Sequence, residues 1–227
     1  MFTYLQGSTR PDISMAVHQC ARYCNYPRLI HERAIRRIGK YLVGTRTQGI
    51  NFVPNNNHGL EVYVDADFAG GWYKADADSA ENVMSRTGYN MMYGECPINW
   101  KSTLQSEICL STAESEYVAL SQALREVLPT MAFLEEIAKI VDINVKTPQI
   151  RCKVYEDNNA CISMAKSQKF SPRTKHIALK YHHFRLAVQR NLVEILPIDT
   201  KQQIADIFTK PLDSNQFIYL RKKLIGW

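Results

Sequence analysis

The sequence has no run of about 18 apolar residues, so a membrane-spanning helix is not expected. Its six cysteines (Cys20, Cys24, Cys96, Cys109, Cys152 and Cys161) include no CxxC pair, which argues against a zinc ribbon and against a disulfide framework. Cys20 and Cys24 stand four apart on an expected helix with no obvious His or Cys partner nearby. Free thiols in a reduced, intracellular protein are the expectation. The opening stretch, MFTYLQGSTRPD, lacks the basic-then-apolar plan of a signal peptide. Internal repeats and low-complexity segments are absent too. One further absence is local: residues 158–193 contain no Asp or Glu, against seven Lys and Arg.

That last gap is part of a pattern in the net charge of +6. Residues 1–52 carry 8 basic and 2 acidic side chains, residues 53–157 carry 8 and 16, and residues 194–227 carry 5 and 4. An acidic middle flanked by basic stretches suits a cation site beside a surface that grips a polyanion. The length of 227 residues suggests one domain plus a piece of another at about 100–200 residues per domain. The hydrophobic share of 45% is enough for a real core.

Residues 1–52 read as two helices, PDISMAVHQCARYCNY and RLIHERAIRRIGKYLVG, the second with Ala34, Ile38, Tyr41 and Leu42 in one apolar stripe. NFVPNNNHG is a linker by its Asn, Pro and Gly. From Leu60 the pattern turns to strands: LEVYVDADF, TGYNMMYG, PINWKS, IRCKVYEDN and LVEILPID. Residues 73–86 are expected to be loop. A long helix from about Thr112 follows Tyr117, Leu120, Leu124, Val127, Leu128, Met131 and Leu134, with Pro129 expected to kink or end it. NACISMAKS is a short helix, TKHIALKYHHFRLAVQRN a basic helix, and QIADIFTKPL the start of a last helix broken by Pro211. The order β-β-β-α-β-α-α-β-α predicts an α/β domain with a mixed sheet.

Four acidic residues stand out by position. Asp65 lies in the first strand, Glu116 in the long helix, Asp157 at the end of the fourth strand and Asp206 at the last helix. Carboxylates in such places are costly unless something binds them, and four that converge are what a two-metal phosphodiester-cleaving site requires. Glu116 lies four before Leu120, so it borders the buried stripe and can reach the sheet. Glu114, three after Ser111, fits a capping role instead. Asp67 points to the same side as Asp65 and is the alternative ligand, or else a strand-end Asp bonded to nearby amides. For Asp206 the alternative is a cap on its own helix. His176, His182 and His183 fit packing or phosphate contact better than a zinc site, and Trp100 fits strand packing.

The segments VYVDADFAG, SRTGYNMMYG, INWKSTLQSEICLSTAESEYVAL, VYEDNNACISMAKS, TKHIALKYHHFR and IADIFTKPL together resemble the ribonuclease H domain of copia-type LTR retrotransposon Pol polyproteins. TRPDISMAVHQCARYCNYPRLIHERAIRRIGKYLVGT is similar to the C-terminal tail of the reverse transcriptase of those polyproteins. The resemblance implies a ribonuclease H-like fold: a five-stranded mixed sheet flanked by helices and preceded by a short helical segment. It implies a division into 1–52 (the reverse transcriptase tail), 53–59 (linker) and 60–227 (nuclease). It implies a metal-ligand quartet of Asp65, Glu116, Asp157 and Asp206 around two Mg²⁺ ions, with Mn²⁺ able to substitute. The activity implied is cleavage of the RNA strand of RNA–DNA hybrids to 5′-phosphate and 3′-hydroxyl ends. The implied partners are the hybrid and the rest of the polyprotein, with no membrane. Asn158, Asn159, Ser115, Arg173, Lys175, Lys180 and Arg185 are the expected substrate contacts. The loop PIDTKQQIAD departs from the family in lacking a His before the last Asp. That departure leaves a weak or inactive nucleic-acid-binding relic as the alternative.

Overall fold

The computed structural model describes residues 1–71, 80–141, 150–167 and 179–227. The elements run α1 (Phe2–Ser8), a 3₁₀ turn (Pro11–Ile13), α2 (Ser14–Ala21), α3 (Leu29–Gly44), β1 (Leu60–Asp67), α4 (Ala80–Val83), β2 (Arg86–Tyr93) and β3 (Cys96–Leu104). Then come α5 (Thr112–Ile140), β4 (Cys152–Glu156), α6 (Asn159–Lys166), a 3₁₀ turn (Leu179–His182), α7 (Arg185–Gln189), β5 (Val193–Pro197), a 3₁₀ turn (Thr200–Gln202), α8 (Asp206–Thr209) and α9 (Ser214–Ile225).

The five strands make one sheet in the order β3-β2-β1-β4-β5. β1, β2 and β3 pair antiparallel, whereas β4 is parallel to β1 and β5 to β4. Alternation along the strands loads both faces. Val62, Val64 and Ala66 of β1 pack with Tyr117, Leu120, Leu124 and Val127 of α5 and with Cys161 and Ile162 of α6 in the larger core. On the opposite face, Met92, with Tyr63 and Trp100 packed against it, meets Ile207, Phe208, Leu220 and Leu224 of α8 and α9. A residue on β1 therefore faces α5 or α8 according to its parity, and this decides where its carboxylates point.

Four expectations need correction. The predicted loop 73–86 holds the short α4, with 72–79 outside the described residues. α5 runs through Pro129 to Ile140, so of the two expectations for that proline, a kink or an end, the end is the one overturned. Pro129 and Arg125 one turn earlier are both exposed, so the carbonyl freed by proline can reach water. The predicted basic helix is, in its described part, a 3₁₀ turn and the five-residue α7. Finally, QIADIFTKPL gives the short α8, and a separate α9 begins at Ser214, capped by Asp213, whose carboxylate accepts from the amides of Asn215 and Gln216.

Residues 1–52 pack against the sheet rather than standing apart from it. Arg86 at the start of β2 is buried and donates to Gln19 Oε1 at 2.6 Å and to His18 Nδ1 at 2.9 Å. Trp100 Nε1 donates to the Gln6 carbonyl at 2.6 Å, and Arg221 of α9 to Tyr41 Oη at 3.2 Å. Within the segment a buried Arg10–Asp12 pair at 2.8 Å accepts a further bond from Tyr41 Oη at 2.6 Å. Among the described residues, no helix is long and apolar enough to cross a membrane.

One glycine sets how closely α8 approaches the sheet. A Cβ on Gly88, the β2 partner of Asp65, would lie 2.6 Å from Thr209 Cγ2, 2.7 Å from Phe208 Cβ and 3.0 Å from the Ala205 carbonyl. Gly88→Ala is expected to push α8 outward and to cost about 1–3 kcal/mol. A thermal or urea unfolding curve checks this, and an unchanged midpoint contradicts it.

Candidate metal and active site

Asp65 sits near the end of β1 on the α8 face and is 2% exposed. The Thr209 hydroxyl of α8 donates to its Oδ2, and the Lys210 ammonium lies 3.8 Å from its Oδ1. Glu116 is one turn into α5. That helix starts where Ser111 Oγ accepts from the Glu114 amide at 3.2 Å, while Glu114 Oε2 takes the Leu110 amide at 2.7 Å. Ser111 is thus the N-cap and Glu114 supports the cap from the third helical position, the role its spacing indicated. The Glu116 side chain reaches back to β1, where the Ala66 amide donates to it, and its Oε2 is buried with no partner among the described residues. Asp157 follows the last residue of β4, and the Thr200 hydroxyl donates to its Oδ2 at 2.8 Å.

Asp65, Glu116 and Asp157 each present an oxygen within 4.8 Å of the other two. Asp206, the first residue of α8, stands beside this trio rather than in it. Its Oδ1 is 2.8 Å from Lys210 Nζ one turn later. Asp67 is also outside the trio: its carboxylate folds over Gly70, where a Cβ would lie 1.6 Å from Oδ2.

Burial and crowding push Asp65, Asp67, Glu116 and Asp206 toward their neutral forms. Burial raises Asp65, and Asp157 and Asp67 add to it, against Lys210 and Thr209. Burial, then the charges of Glu156, Asp65 and Asp157, holds Glu116 well above the usual carboxylate range. Asp206 is pushed up to about 7 by burial and Asp65, with Lys210 opposing. Lys210 is drawn down by burial, but Asp65, Asp206 and Asp157 together raise it.

Three participants were not singled out from the sequence. Glu156 is fully buried beside Asp157, accepts from the Asn158 amide at 3.1 Å and is pushed up to about 8 by burial. It carries the same strand parity as Val154, so it points toward α5 and α6. Thr200 and Lys210 were also missed. Lys210 had a signal in its i,i+4 spacing from Asp206, whereas Thr200 had none.

The expected substrate contacts divide. Asn158 caps α6, its Oδ1 accepting from the Ala160 and Cys161 amides at 2.9 and 3.1 Å, and Asn159 is exposed beside it. Ser115 is fully buried and its hydroxyl donates to the Thr112 carbonyl at 2.8 Å, within its own helix. Arg185 is a correction: it is 8% exposed, with Nε 3.1 Å from Tyr117 Oη and Nη2 3.0 Å from the Met164 carbonyl. It ties α7 to α5 and α6 instead of facing solvent. His182 Nδ1 lies 2.6 Å from the same Tyr117 hydroxyl, a packing role. Arg173, Lys175, His176 and the side chain of Lys180 lie outside the described residues.

Chemically, the trio offers only oxygen donors, and one of them, Glu116 Oε2, is buried without a partner among the described residues. That fits a hard divalent cation such as Mg²⁺ and not a soft one.

No family model matches the chain. It is 32% identical over 216 residues, 95% of its length, to the retrovirus-related Pol polyprotein from transposon RE2 of Arabidopsis thaliana, and spans 14% of that protein. The solved structure of the foamy viral protease–reverse transcriptase in complex with an RNA/DNA hybrid is similar at TM-score 0.50 and 13% identity, over 94% of this chain and 25% of that one. A ribonuclease H1 isolated from compost is similar at TM-score 0.44 and 15% identity, over 67% of this chain and 93% of that one. The five-stranded mixed sheet with its flanking helices is a ribonuclease H-like fold.

Proposed function

The chain belongs with the retrovirus-related Pol polyproteins of plant transposons, as the homologue of a segment of them, and from this premise we propose that it is a metal-dependent ribonuclease H that cuts the RNA strand of RNA–DNA hybrids. The convergence of Asp65, Glu116 and Asp157 within 4.8 Å carries the reading. Two divalent cations, when bound, supply an activated water and stabilisation of the leaving 3′ oxygen, giving 5′-phosphate and 3′-hydroxyl ends.

The protein's own part is to place oxygens and hold them still. Asp65 is fixed by the Thr209 hydroxyl, Asp157 by Thr200 and Glu116 by the Ala66 amide. We assign Asp65, Glu116 and Asp157 to the first cation and Asp206 to the second. Asn158 and Asn159, adjacent to Asp157, are the proposed contacts to the hybrid, with Arg173, Lys175 and Lys180 as proposed phosphate contacts. Residues 1–52 are proposed to be the reverse transcriptase tail, with the Pol polyprotein as the working context.

A hybrid labelled on its RNA strand tests the reading, with the full chain and its Asp157→Asn variant compared in Mg²⁺. RNA-strand cutting that the substitution abolishes is the expected result. Intact RNA with folded native protein in both Mg²⁺ and Mn²⁺ overturns it, and cutting of duplex DNA instead overturns the substrate assignment.

A further inference from the structure

Among the described residues, the acidic cluster has a cation on one flank only. On the α8 side, the Lys210 ammonium sits 2.8 Å from Asp206 Oδ1 and 3.8 Å from Asp65 Oδ1. On the α5 side, Glu116 Oε2 is buried with no partner among the described residues. Asp65 bridges the two flanks, with Oδ2 taking the Thr209 hydroxyl and Oδ1 facing the lysine. A cation that enters this cluster meets the carboxylate oxygens of Asp65, Glu116 and Asp157 on one side and an ammonium already in place between Asp65 and Asp206 on the other.

We infer that Lys210 is a built-in cation of the site: its ammonium holds Asp206, so a first divalent cation binds at Asp65, Glu116 and Asp157, and a second binds at Asp206 only by displacing Lys210. The inference rests on the metal-site reading of the cluster given above. The ammonium is already in direct contact with Asp206 Oδ1, at 2.8 Å, so a divalent ion bound to that oxygen takes the lysine's place and the two occupancies are alternatives. Lys210 also lines a cavity of about 630 Å³ between α2 and α3 on one side and α8 and α9 on the other, with Asp12, Arg37, Tyr41, Phe217 and Arg221 among its walls, so there is room for its side chain to move away from Asp206. The Lys210 side chain is 34% exposed, so the swing does not require unpacking a core residue. The arrangement makes the number of bound ions, and not merely their presence, depend on the position of one side chain. In this respect Lys210 is a positioning residue that acts through Asp206.

Mn²⁺ binding to the full chain tests this, followed by calorimetry and by the loss of the free-ion paramagnetic signal, for the native protein, Lys210→Met and Lys210→Arg. The native chain is expected to bind one Mn²⁺ well and a second more weakly. Lys210→Met should tighten the second step by about tenfold or more and leave the first within about threefold, while Lys210→Arg, which keeps the charge, should leave the second step weak. In Lys210→Met the metal-free melting point should fall, because the repulsion among the carboxylates is no longer offset, and Mn²⁺ should restore it. A folded Lys210→Met chain whose second step matches the native one overturns the lysine's role and leaves the metal site standing. A native chain that takes up no Mn²⁺ at millimolar ion overturns the metal-site reading, and this inference with it. These outcomes are read from binding and melting, so they do not depend on hybrid cleavage.

Discussion

Glu116→Gln should abolish hybrid cleavage and, in the same protein without metal, raise stability. The two effects have one cause. Glu116 is 5% exposed, and one of its carboxylate oxygens has no hydrogen-bond partner among the described residues. A buried carboxylate in that state is either ionised without compensation or neutral at the cost of its raised proton affinity. Glutamine keeps the shape and an oxygen for the Ala66 amide but removes the charge that opposes Glu156, Asp65 and Asp157. A gain of about 1–3 kcal/mol in the metal-free protein is expected. The same charge is what a divalent cation would bind. Loss of a ligand that supplies several kcal/mol of transition-state stabilisation corresponds to at least about a thousandfold loss in rate. Urea unfolding in chelator and single-turnover cleavage of a labelled hybrid check the two halves. A variant that loses activity and also stability would falsify the idea that Glu116 is held for function at the expense of the fold.

Much of this site could be read from the residues, and the limits of that reading are physical. Asp65, Glu116 and Asp157 are each placed by a local rule: strand parity beside Val64 and Ala66, a fixed number of residues after the Ser111 cap, and the end of an apolar strand. These rules act over a few residues, so they survive without tertiary information. Arg185 was misplaced because a basic residue among basic neighbours looks solvated, while its burial depends on Tyr117, which is 68 positions away. Thr200 was missed because its contact with Asp157 spans 43 positions and rests on where a 3₁₀ turn falls. Glu156 was passed over beside the more conspicuous Asp157, although alternation along KVYED turns the two to opposite sides. The boundary between α8 and α9 was blurred because Pro211 marks a stop but does not announce that Asp213 starts a new helix. Even the packing of residues 1–52 depends on a long-range partner, since Arg86 meets Gln19 across 67 positions.

In the absence of divalent cations, stability should fall as pH rises from about 5 to about 8, and Mg²⁺ should reverse the trend. Most small domains gain or hold stability over this range as their carboxylates ionise. Here the cluster acids behave oppositely. Asp206 is pushed up to about 7 and Glu156 to about 8, in both cases by burial first, and Asp65 and Glu116 are raised for the same reason. The unfolded chain releases these protons near its ordinary carboxylate values of 3.8 and 4.5. Between those values and the folded ones the native state holds more protons than the unfolded state, so stability declines with pH. It is fully present below about pH 4 and lost once pH has passed about 8. His18 works the other way. Burial and then the nearby charge of Arg86 push it down to about 4, so acid below its ordinary 6.5 favours the unfolded chain. One histidine against four carboxylates leaves the net slope negative. At about 1.4 kcal/mol for each tenfold change in proton affinity, and with protons shared among interacting groups, the loss from pH 5 to 8 is on the order of 3 kcal/mol. Metal binding requires the ionised carboxylates and so strengthens as pH rises. At one hundred times its dissociation constant an ion restores about 2.7 kcal/mol. Urea midpoints at pH 5, 6.5 and 8, in chelator and in Mg²⁺, should therefore diverge with pH: falling in chelator, level or rising in Mg²⁺. Parallel curves would mean that the buried acids find their compensation within the protein, and that the cluster is not held ready for a cation.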